Sequence, residues 1–111
     1  MIDFEEKIGL KCLSGENNRA FSGCYIGDVL SFALTKLKKG DIWITSQTNI
    51  NVIAIAYWKE ASCVIVPDGI LMEDDVISAA EDKNVCVYSS KLSAYELAVK
   101  INTVLNGGKY E

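Results

Sequence analysis

A central part of the chain reads Gly40-Asp41-Ile42-Trp43-Ile44-Thr45-Ser46-Gln47-Thr48-Asn49-Ile50-Asn51 and continues into an apolar run, Val52 to Trp58. Asp41 to Thr45 alternates as a short strand, and small polar residues follow it directly. The run from Val52 to Trp58 is apolar all round, so its periodicity alone fits a strand or a helix. Because the run lies between two predicted strands, we predict a buried crossover helix with Thr48 or Asn49 as its cap.

The same alternation of strand and helix continues on both sides of this unit, with about 20 residues per unit from Phe21 onward. The pattern predicts an α/β fold: a mostly parallel β-sheet of four to five strands with helices on both faces, in a single compact domain over residues 1–111. Before this unit we predict a helix over Ile2 to Gly9, an edge strand over Lys11 to Leu13, a strand over Phe21 to Ile26 with a bulge or a close backbone approach at Gly23, and a helix over Asp28 to Lys39 with Asp28 as N-cap. After it we predict a strand over Ser62 to Val66, a turn at Pro67 to Gly69, a helix over Glu73 to Lys83 and a strand over Val85 to Tyr88. A last helix starts with a capping box at Ser93 and Glu96.

Composition limits the class of protein. The length of 111 residues is close to the commonest domain size, and no apolar run approaches the ~20 residues that span a bilayer. The start of the chain lacks the basic segment and apolar stretch of a secretory signal, so we expect a cytoplasmic protein with no membrane partner. With 11 basic and 15 acidic residues the net charge is -4, and no window is strongly basic. Nucleic acid is therefore not an expected partner.

Residues for catalysis are scarce. Histidine is absent, which removes the usual general base near neutral pH, and no glycine-rich phosphate-binding motif occurs. The spacing of the four cysteines does not fit a structural zinc site, so no metal or cofactor is predicted. Cys63 and Cys86 lie in apolar runs and are predicted to be buried. Cys24 follows a predicted turn, which leaves a thiol-dependent enzyme as one alternative.

Candidate ligand-binding residues follow the predicted strands. Ligands of open parallel sheets bind outside the carboxyl ends of the strands. The loops expected there are Ser46 to Asn51, Asp68-Gly69, Ser89 to Lys91, and the turn from Gly23 to Asp28. Gln47, Thr48 and Asn49 could present hydroxyl, amide and backbone N–H groups to an anion. The alternative is that these three side chains cap a helix and bond within their own loop.

Two blocks of this sequence resemble the DRTGG domain family. The first contains Arg19, Ser22-Gly23-Cys24-Tyr25 and Gly27-Asp28, and the second is Gly40 to Asn51; similarity continues through the Pro67 turn and the helix start at Lys91 to Glu96. The residues that give the family its name match Asn18, Arg19, Ser22, Gly23 and Cys24, of which three differ from the family pattern. Asn49 stands where many members have a histidine, so no imidazole is available for a role there.

The resemblance implies a small regulatory α/β module that helps to form dimers while catalysis belongs to neighbouring domains. Such modules are similar to the N-terminal domain of HPr serine kinase/phosphatase and occur beside CBS domains in regulated pyrophosphatases and with phosphotransacetylases. Together with the positions after the strands, the resemblance gives the candidate ligand-binding residues Arg19, Gly23, Asp28, Ser46, Gln47, Thr48, Asn49 and Asn51.

The leading hypothesis is a non-catalytic regulatory or ligand-sensing module that self-associates as a homodimer. It rests on the missing catalytic residues and on large aromatic side chains, some of which are expected on a surface patch: Tyr25, Trp43, Tyr57 and Trp58. The first alternative is a binding domain for a nucleotide or another phosphorylated small molecule, and the second is the thiol-dependent enzyme that uses Cys24.

Overall fold

A computed structural model describes residues 8–15 and 21–105, which form one five-stranded sheet covered by four helices. The elements in chain order are β1 Lys11–Ser14, β2 Gly23–Ile26, α1 Leu30–Lys36, β3 Asp41–Ile44, α2 Ile50–Trp58, β4 Cys63–Val66, α3 Asp74–Asp82, β5 Val87–Ser89 and α4 Ala94–Leu105. The strand order is β1-β5-β4-β3-β2. Strands β2 to β5 are parallel, and β1 pairs antiparallel with β5, so the predicted mostly parallel α/β fold is confirmed.

The helices lie on both faces of the sheet. From β2 to β5 each crossover moves the chain one strand along in the same direction, and right-handed crossovers of this kind put α1, α2 and α3 on one face. Their buried side chains form one core cluster with Trp43 and Val64. Helix α4 follows β5 and packs Leu97 and Ile101 on the other face, against Ile42. Helices on both faces, as predicted, are therefore confirmed.

Helix α2 is the buried crossover helix that the sequence predicts. Asn49 is its N-cap, and the Asn49 Oδ1 atom accepts a hydrogen bond from the Asn51 N–H at 2.9 Å. The helix buries Val52 and Ile53 beneath it. The segment forms a helix rather than a strand because it connects β3 to β4, and two neighbouring parallel strands cannot be joined by a short turn.

Helix α1 is shorter than predicted. The predicted cap, Asp28, does not cap it: Val29 is the N-cap residue and makes no side-chain hydrogen bond to the helix. At the other end Leu37 is extended, with ψ 130°, and the Lys38 N–H donates to Asp41 Oδ2 at 2.9 Å. The helix therefore ends at Lys36, because the Asp41 side chain, in β3, accepts the hydrogen bond of the Lys38 N–H in place of a helix carbonyl.

Strand β2 begins at Gly23 rather than Phe21 and contains no bulge. Its register with β3 is continuous from Gly23 opposite Asp41 to Ile26 opposite Ile44. The close neighbour of Gly23 is a side chain rather than another backbone: a Cβ atom on Gly23 would lie 2.8 Å from Asp41 Oδ1. The irregularity in the sheet lies in β1, between Cys12 and Ser14, against β5.

The remaining elements agree with the sequence within two residues at most ends. The edge strand, the Pro67 turn, the acidic start of α3 and the burial of Cys63 and Cys86 are confirmed. The capping box of α4 is also confirmed: the Ser93 N–H donates to Glu96 Oε1 at 3.0 Å, and the Glu96 N–H donates to Ser93 Oγ at 3.1 Å. The helix predicted over Ile2 to Gly9 lies outside the described residues except at its end, where Gly9 has φ +79°.

Candidate functional site

The carboxyl ends of the four parallel strands meet at one edge of the sheet. The loops that leave this edge are those after Ile26, Ile44, Val66 and Ser89. Ligands of open α/β sheets bind at this edge.

Asp28 connects two of these loops. Its Oδ1 atom accepts hydrogen bonds from Thr45 Oγ1 at 2.9 Å and from the Ser46 N–H at 2.7 Å, and its Oδ2 atom accepts from Ser46 Oγ at 2.6 Å. We name Asp28, Thr45 and Ser46 the Asp28 cluster. The nearby Trp43 Nε1–H donates to the Gly27 carbonyl at 3.0 Å, which fixes the same turn from beneath. Two predicted site residues, Asp28 and Ser46, therefore lie together, and they hold the β2–α1 loop against the β3–α2 loop.

The charge of this cluster is negative. Hydrogen bonds from Ser46 and Thr45 lower the pKa of the Asp28 carboxyl, so it is ionised at neutral pH. A second exposed carboxylate, Asp68, follows β4 at the same edge. Two carboxylates oppose an anion at this point, and the donors of Ser46 are already used by Asp28.

The polar residues after Ser46 bond mainly within their own loop. Asn49 Nδ2–H donates to Gln47 Oε1 at 3.4 Å, and the Gln47 N–H donates to Thr45 Oγ1 at 3.2 Å. Gln47 and Asn49 are exposed, Thr48 is half-buried, and Asn51 is exposed. For Asn49, which caps α2, and for Gln47, which accepts from Asn49, this arrangement matches the alternative in which these side chains cap a helix and bond within their own loop. Their role in binding a ligand stays a prediction.

The other predicted site residues do not join this edge. Gly23 pairs with Asp41 at the amino end of β2, on the opposite edge of the sheet, so the predicted turn from Gly23 to Asp28 is wrong for its first part: Gly23–Ile26 is a strand. Arg19 lies outside the described residues. Cys24 is exposed, yet burial around its thiol and the Asp41 carboxylate raise the pKa of Cys24 to about 11. A thiol with this pKa is protonated at neutral pH, which disfavours the thiol-dependent enzyme.

Between residues that the structure describes, a small and a larger cavity open at the carboxyl edge. The smaller, of about 170 Å³, is lined by the Asp28 cluster together with residues of β2, the Pro67 turn and Ala94. Its volume is below the ~300 Å³ of common ligand pockets. Gln47, Thr48, Asn49 and Asn51 do not line it.

The larger cavity has a volume of about 670 Å³ and lies towards β1. Its walls come from the β4–α3 loop at Gly69–Met72, the end of β5 and its loop at Ser89–Leu92, strand β1, and Lys100 of α4. We name it the switch-point cavity, because the β4 loop leads to α3 on one face of the sheet while the β5 loop leads to α4 on the other. Sequence patterns indicated the Asp68-Gly69 and Ser89 to Lys91 loops but missed β1 and Lys100. Strand β1 reaches this place through its antiparallel pairing with β5, and Lys100 lies on α4.

The predicted aromatic patch divides between core and surface. Trp43 is fully buried and Tyr25 is half-buried, whereas Tyr57 and Trp58 on α2 are 54% and 77% exposed. Exposed apolar residues of α1 and its N-cap residue lie in the same helix layer. We name the α1–α2 surface by its five members: Val29, Phe32, Ile50, Tyr57 and Trp58.

The described ranges contain neither a candidate metal site nor a membrane-spanning helix. No group of three or more cysteine, aspartate and glutamate side chains there could hold a metal ion. Among the four helices described, none has the length and apolar character needed to cross a membrane.

The chain shares its fold with one half of a solved regulatory region. That structure comprises the CBS and DRTGG domains of the regulatory region of a Clostridium perfringens pyrophosphatase in complex with its activator, diadenosine tetraphosphate. The TM-score is 0.74 at 17% sequence identity, and the match covers 91% of this chain and 45% of the other. No curated protein sequence matches the chain. The family model of the DRTGG domain matches residues 6–104, and the chain therefore belongs to the DRTGG domain family.

Proposed function

We propose that this protein is a non-catalytic, cytoplasmic regulatory module that self-associates as a homodimer through the α1–α2 surface. The observation on which this proposal rests is helix α2, whose solvent side is mostly apolar, with Asn51 as its one polar residue. Val52, Ile53, Ile55 and Ala56 face the core, while Ile50, Tyr57 and Trp58 face outward. Helices that are apolar all round are normally covered on every side.

The exposed apolar area is compatible with a modest interface. An aromatic side chain buries roughly 150 to 250 Å² when fully covered, and the α1–α2 surface contains three that are more than half exposed: Phe32, Tyr57 and Trp58. A standard interface buries about 800 Å² on each partner. With Val29 and Ile50 added, a large part of that area is available on this one face.

Charged groups border the surface rather than interrupt it. The Lys83 ammonium lies over the Tyr57 ring, 4.8 Å from its centroid, and Lys39 pairs with Glu60 at 3.6 Å beyond the end of α2. An apolar centre with a polar rim is the usual composition of a protein interface. A second copy of this chain presents the same surface, so a two-fold arrangement can bury Trp58 of both protomers.

Membership of the DRTGG family supports a regulatory rather than a catalytic role. The similar pyrophosphatase structure is a regulatory region, and this chain spans 45% of its length. The absence of histidine from the sequence and the raised pKa of Cys24 point in the same direction.

Sedimentation velocity tests the dimer. At tens of micromolar, a concentration on the order of moderate dimer affinities, we expect a dimer for the wild type and a monomer for Trp58→Ser. Tyr95→Ser is the matched control: Tyr95 is also 77% exposed but lies on α4, on the opposite face of the sheet. A wild-type monomer contradicts the proposal. A dimer that is lost only in Tyr95→Ser keeps self-association but moves it to the other face.

A second candidate function is the binding of a nucleotide or another phosphorylated small molecule. It is favoured by the size of the switch-point cavity and by the nucleotide activator in the similar structure. A thermal-shift screen against nucleotides tests it, because a ligand at ~100 times its dissociation constant adds about 2.7 kcal/mol of stability. No shift with any nucleotide contradicts this candidate, and the dimer is unaffected by that result.

A further inference from the structure

We infer that the switch-point cavity binds a small amphiphilic anion, that is, a soluble molecule with an apolar body and a carboxylate, sulfonate or phosphate group at one end. The inference rests on the second candidate function above, the binding of a small molecule, and names a ligand class for this cavity rather than for the predicted Ser46 to Asn51 loop.

The position of the cavity favours a ligand. The chain leaves β4 towards α3 on one face of the sheet and leaves β5 towards α4 on the other face. Neighbouring parallel strands whose loops diverge in this way open a crevice outside their carboxyl ends, and that crevice is the usual binding place in open α/β sheets. In this chain the crevice extends under β1 into a space of about 670 Å³, within the range of small-molecule pockets.

The walls of the cavity are apolar. Eight hydrophobic residues line it: Ile8, Leu10, Leu13, Ile70, Leu71, Met72, Ile77 and Leu92. Leu71 is the most exposed of them, at 88%. An apolar body of a ligand fits these walls better than a strongly hydrated molecule does.

The charged groups at the cavity are all positive. Lys11 from β1, Lys91 from the β5 loop and Lys100 from α4 line it, and the described lining residues include no carboxylate. Over residues 8–15 and 21–105 the only ion pair joins Lys39 and Glu60, so the three ammonium groups are not neutralised by a described carboxylate at contact distance. Glu96, one turn before Lys100, interacts electrostatically with that lysine but lies outside the lining. In a chain of net charge -4, three lysines at one apolar cavity favour an anionic ligand.

The cavity wall is preformed by hydrogen bonds between the two loops. The Asp68 N–H donates to the Leu92 carbonyl at 2.8 Å, and the Gly69 N–H donates to the Ser90 carbonyl at 2.8 Å. The Leu92 N–H in turn donates to Ser90 Oγ at 3.0 Å. A wall that is already ordered costs little further entropy when a ligand binds.

Two fluorescent probes test the inference on the full chain. 8-Anilinonaphthalene-1-sulfonate is an apolar anion, and N-phenyl-1-naphthylamine is its close neutral analogue. We expect the anionic probe to bind at one saturable site. In the triple variant Lys11→Gln, Lys91→Gln, Lys100→Gln its affinity should fall roughly tenfold, since each exposed charge pair contributes modestly. The affinity for the neutral probe should change less than about twofold in the same variant.

The matched control removes the same number of charges elsewhere. Lys36, Lys38 and Lys39 lie at the end of α1 and beyond it, and none lines the cavity. Their replacement by glutamine should leave the anionic probe bound as in the wild type, and Trp58→Ser should do the same. Equal loss in both lysine triples, or loss in Trp58→Ser, overturns the assignment to this cavity. Displacement of the probe by inorganic phosphate at comparable concentration overturns the need for an apolar body.

Amide chemical shifts separate this inference from the proposed function. With the anionic probe, the largest changes are expected in residues 69–72 and 89–92. Changes confined to residues 46–51, or no binding at all, overturn the inference while leaving both the dimer and the nucleotide screen standing. Conversely, a monomer in sedimentation leaves the probe results unaffected.

Discussion

Asp28 shows how a single carboxylate can shape one edge of this sheet. Three donors from Thr45 and Ser46 converge on it, so the turn after β2 and the turn after β3 are held together. In sequence, Asp28 stands one residue before an apolar stripe and fits a helix cap. The competing donors lie 17 and 18 residues away, and no local pattern reveals them.

Replacing Asp28 by asparagine should lower the free energy of unfolding by about 1 kcal/mol at pH 7, a modest value because the carboxylate is mostly exposed. The lowered pKa means that this stability is fully present above the unfolded pKa of about 4 and is lost as the pH falls through the folded pKa. Urea unfolding from pH 7 to pH 3 should therefore show wild type and variant converging at low pH.

Asp68→Asn is the control for that series. Asp68 is exposed at the same edge, and its φ of +61° is one that asparagine tolerates. We expect a change within about 0.5 kcal/mol. A difference between wild type and Asp28→Asn that stays constant down to pH 3 contradicts a role for the ionised carboxylate.

Cys24 should react slowly at neutral pH. A pKa of about 11 leaves only about one thiol in ten thousand ionised at pH 7, and the thiolate is the reactive form. Alkylation by iodoacetamide should be more than ~100-fold slower than for a free cysteine and should accelerate about tenfold per pH unit up to pH 11. Mass spectrometry can follow residues 20–36, which contain a single cysteine. Rapid labelling at pH 7 is the contrary result.

At the scale of elements, position in the order of strands decides more than local periodicity does. Helix α2 is ambiguous by its residues and becomes predictable because it lies between two strands. Helix α1 shows the opposite: the lysines after Leu37 fit a helix end, yet Asp41 of β3 binds the Lys38 N–H, and a tertiary contact of this kind is not visible in sequence. The candidate site divides in the same way, since Asp28 and Ser46 come together while Gly23 lies at the other edge.

The cap of α2 should be measurable by itself. Asn49→Ala is expected to cost about 1 kcal/mol, and Asn49→Asp should retain most of the stability, because its side chain can also accept from the Asn51 N–H. Gln47→Ala in the same exposed loop should stay within about 0.5 kcal/mol in urea unfolding. Equal losses at both positions would mean that the loop, and not the cap, stabilises the helix.

Alanine variants of the two glycines that flank β1 distinguish the cost of backbone strain from that of steric contact. Gly9 and Gly15 have similar φ values, +79° and +71°, but a Cβ atom on Gly9 meets nothing within 4 Å, whereas on Gly15 it would lie 2.7 Å from the Val85 carbonyl oxygen. We expect Gly9→Ala to cost about 1 to 2 kcal/mol and Gly15→Ala at least about 1 kcal/mol more. Chemical denaturation of both variants checks this, and equal costs would show that the contact with the Val85 carbonyl relaxes freely.

For the whole molecule, self-association should make thermal stability depend on concentration. A dimer that dissociates on unfolding gains stability by mass action, and for a domain of this size the melting temperature should rise by about 3 °C for each tenfold increase in protein concentration. Scanning calorimetry over two decades of concentration measures the rise. Trp58→Ser should melt at a temperature independent of concentration, whereas Tyr95→Ser should behave as the wild type; the same slope in all three proteins contradicts the α1–α2 interface.

The strand order concentrates the entropy of loop closure in one place. Each parallel pairing joins residues only about 20 positions apart, as between Gly23 and Asp41, whereas Lys11 of β1 and Ser89 of β5 are about 78 positions apart. Closing the longer loop costs about two doublings of length, or roughly 1.2 kcal/mol more. The parallel strands β2 to β5 can thus form by pairing of strands that are consecutive in sequence. Among the five strands, only β1, which lines the switch-point cavity, pairs over a long sequence separation.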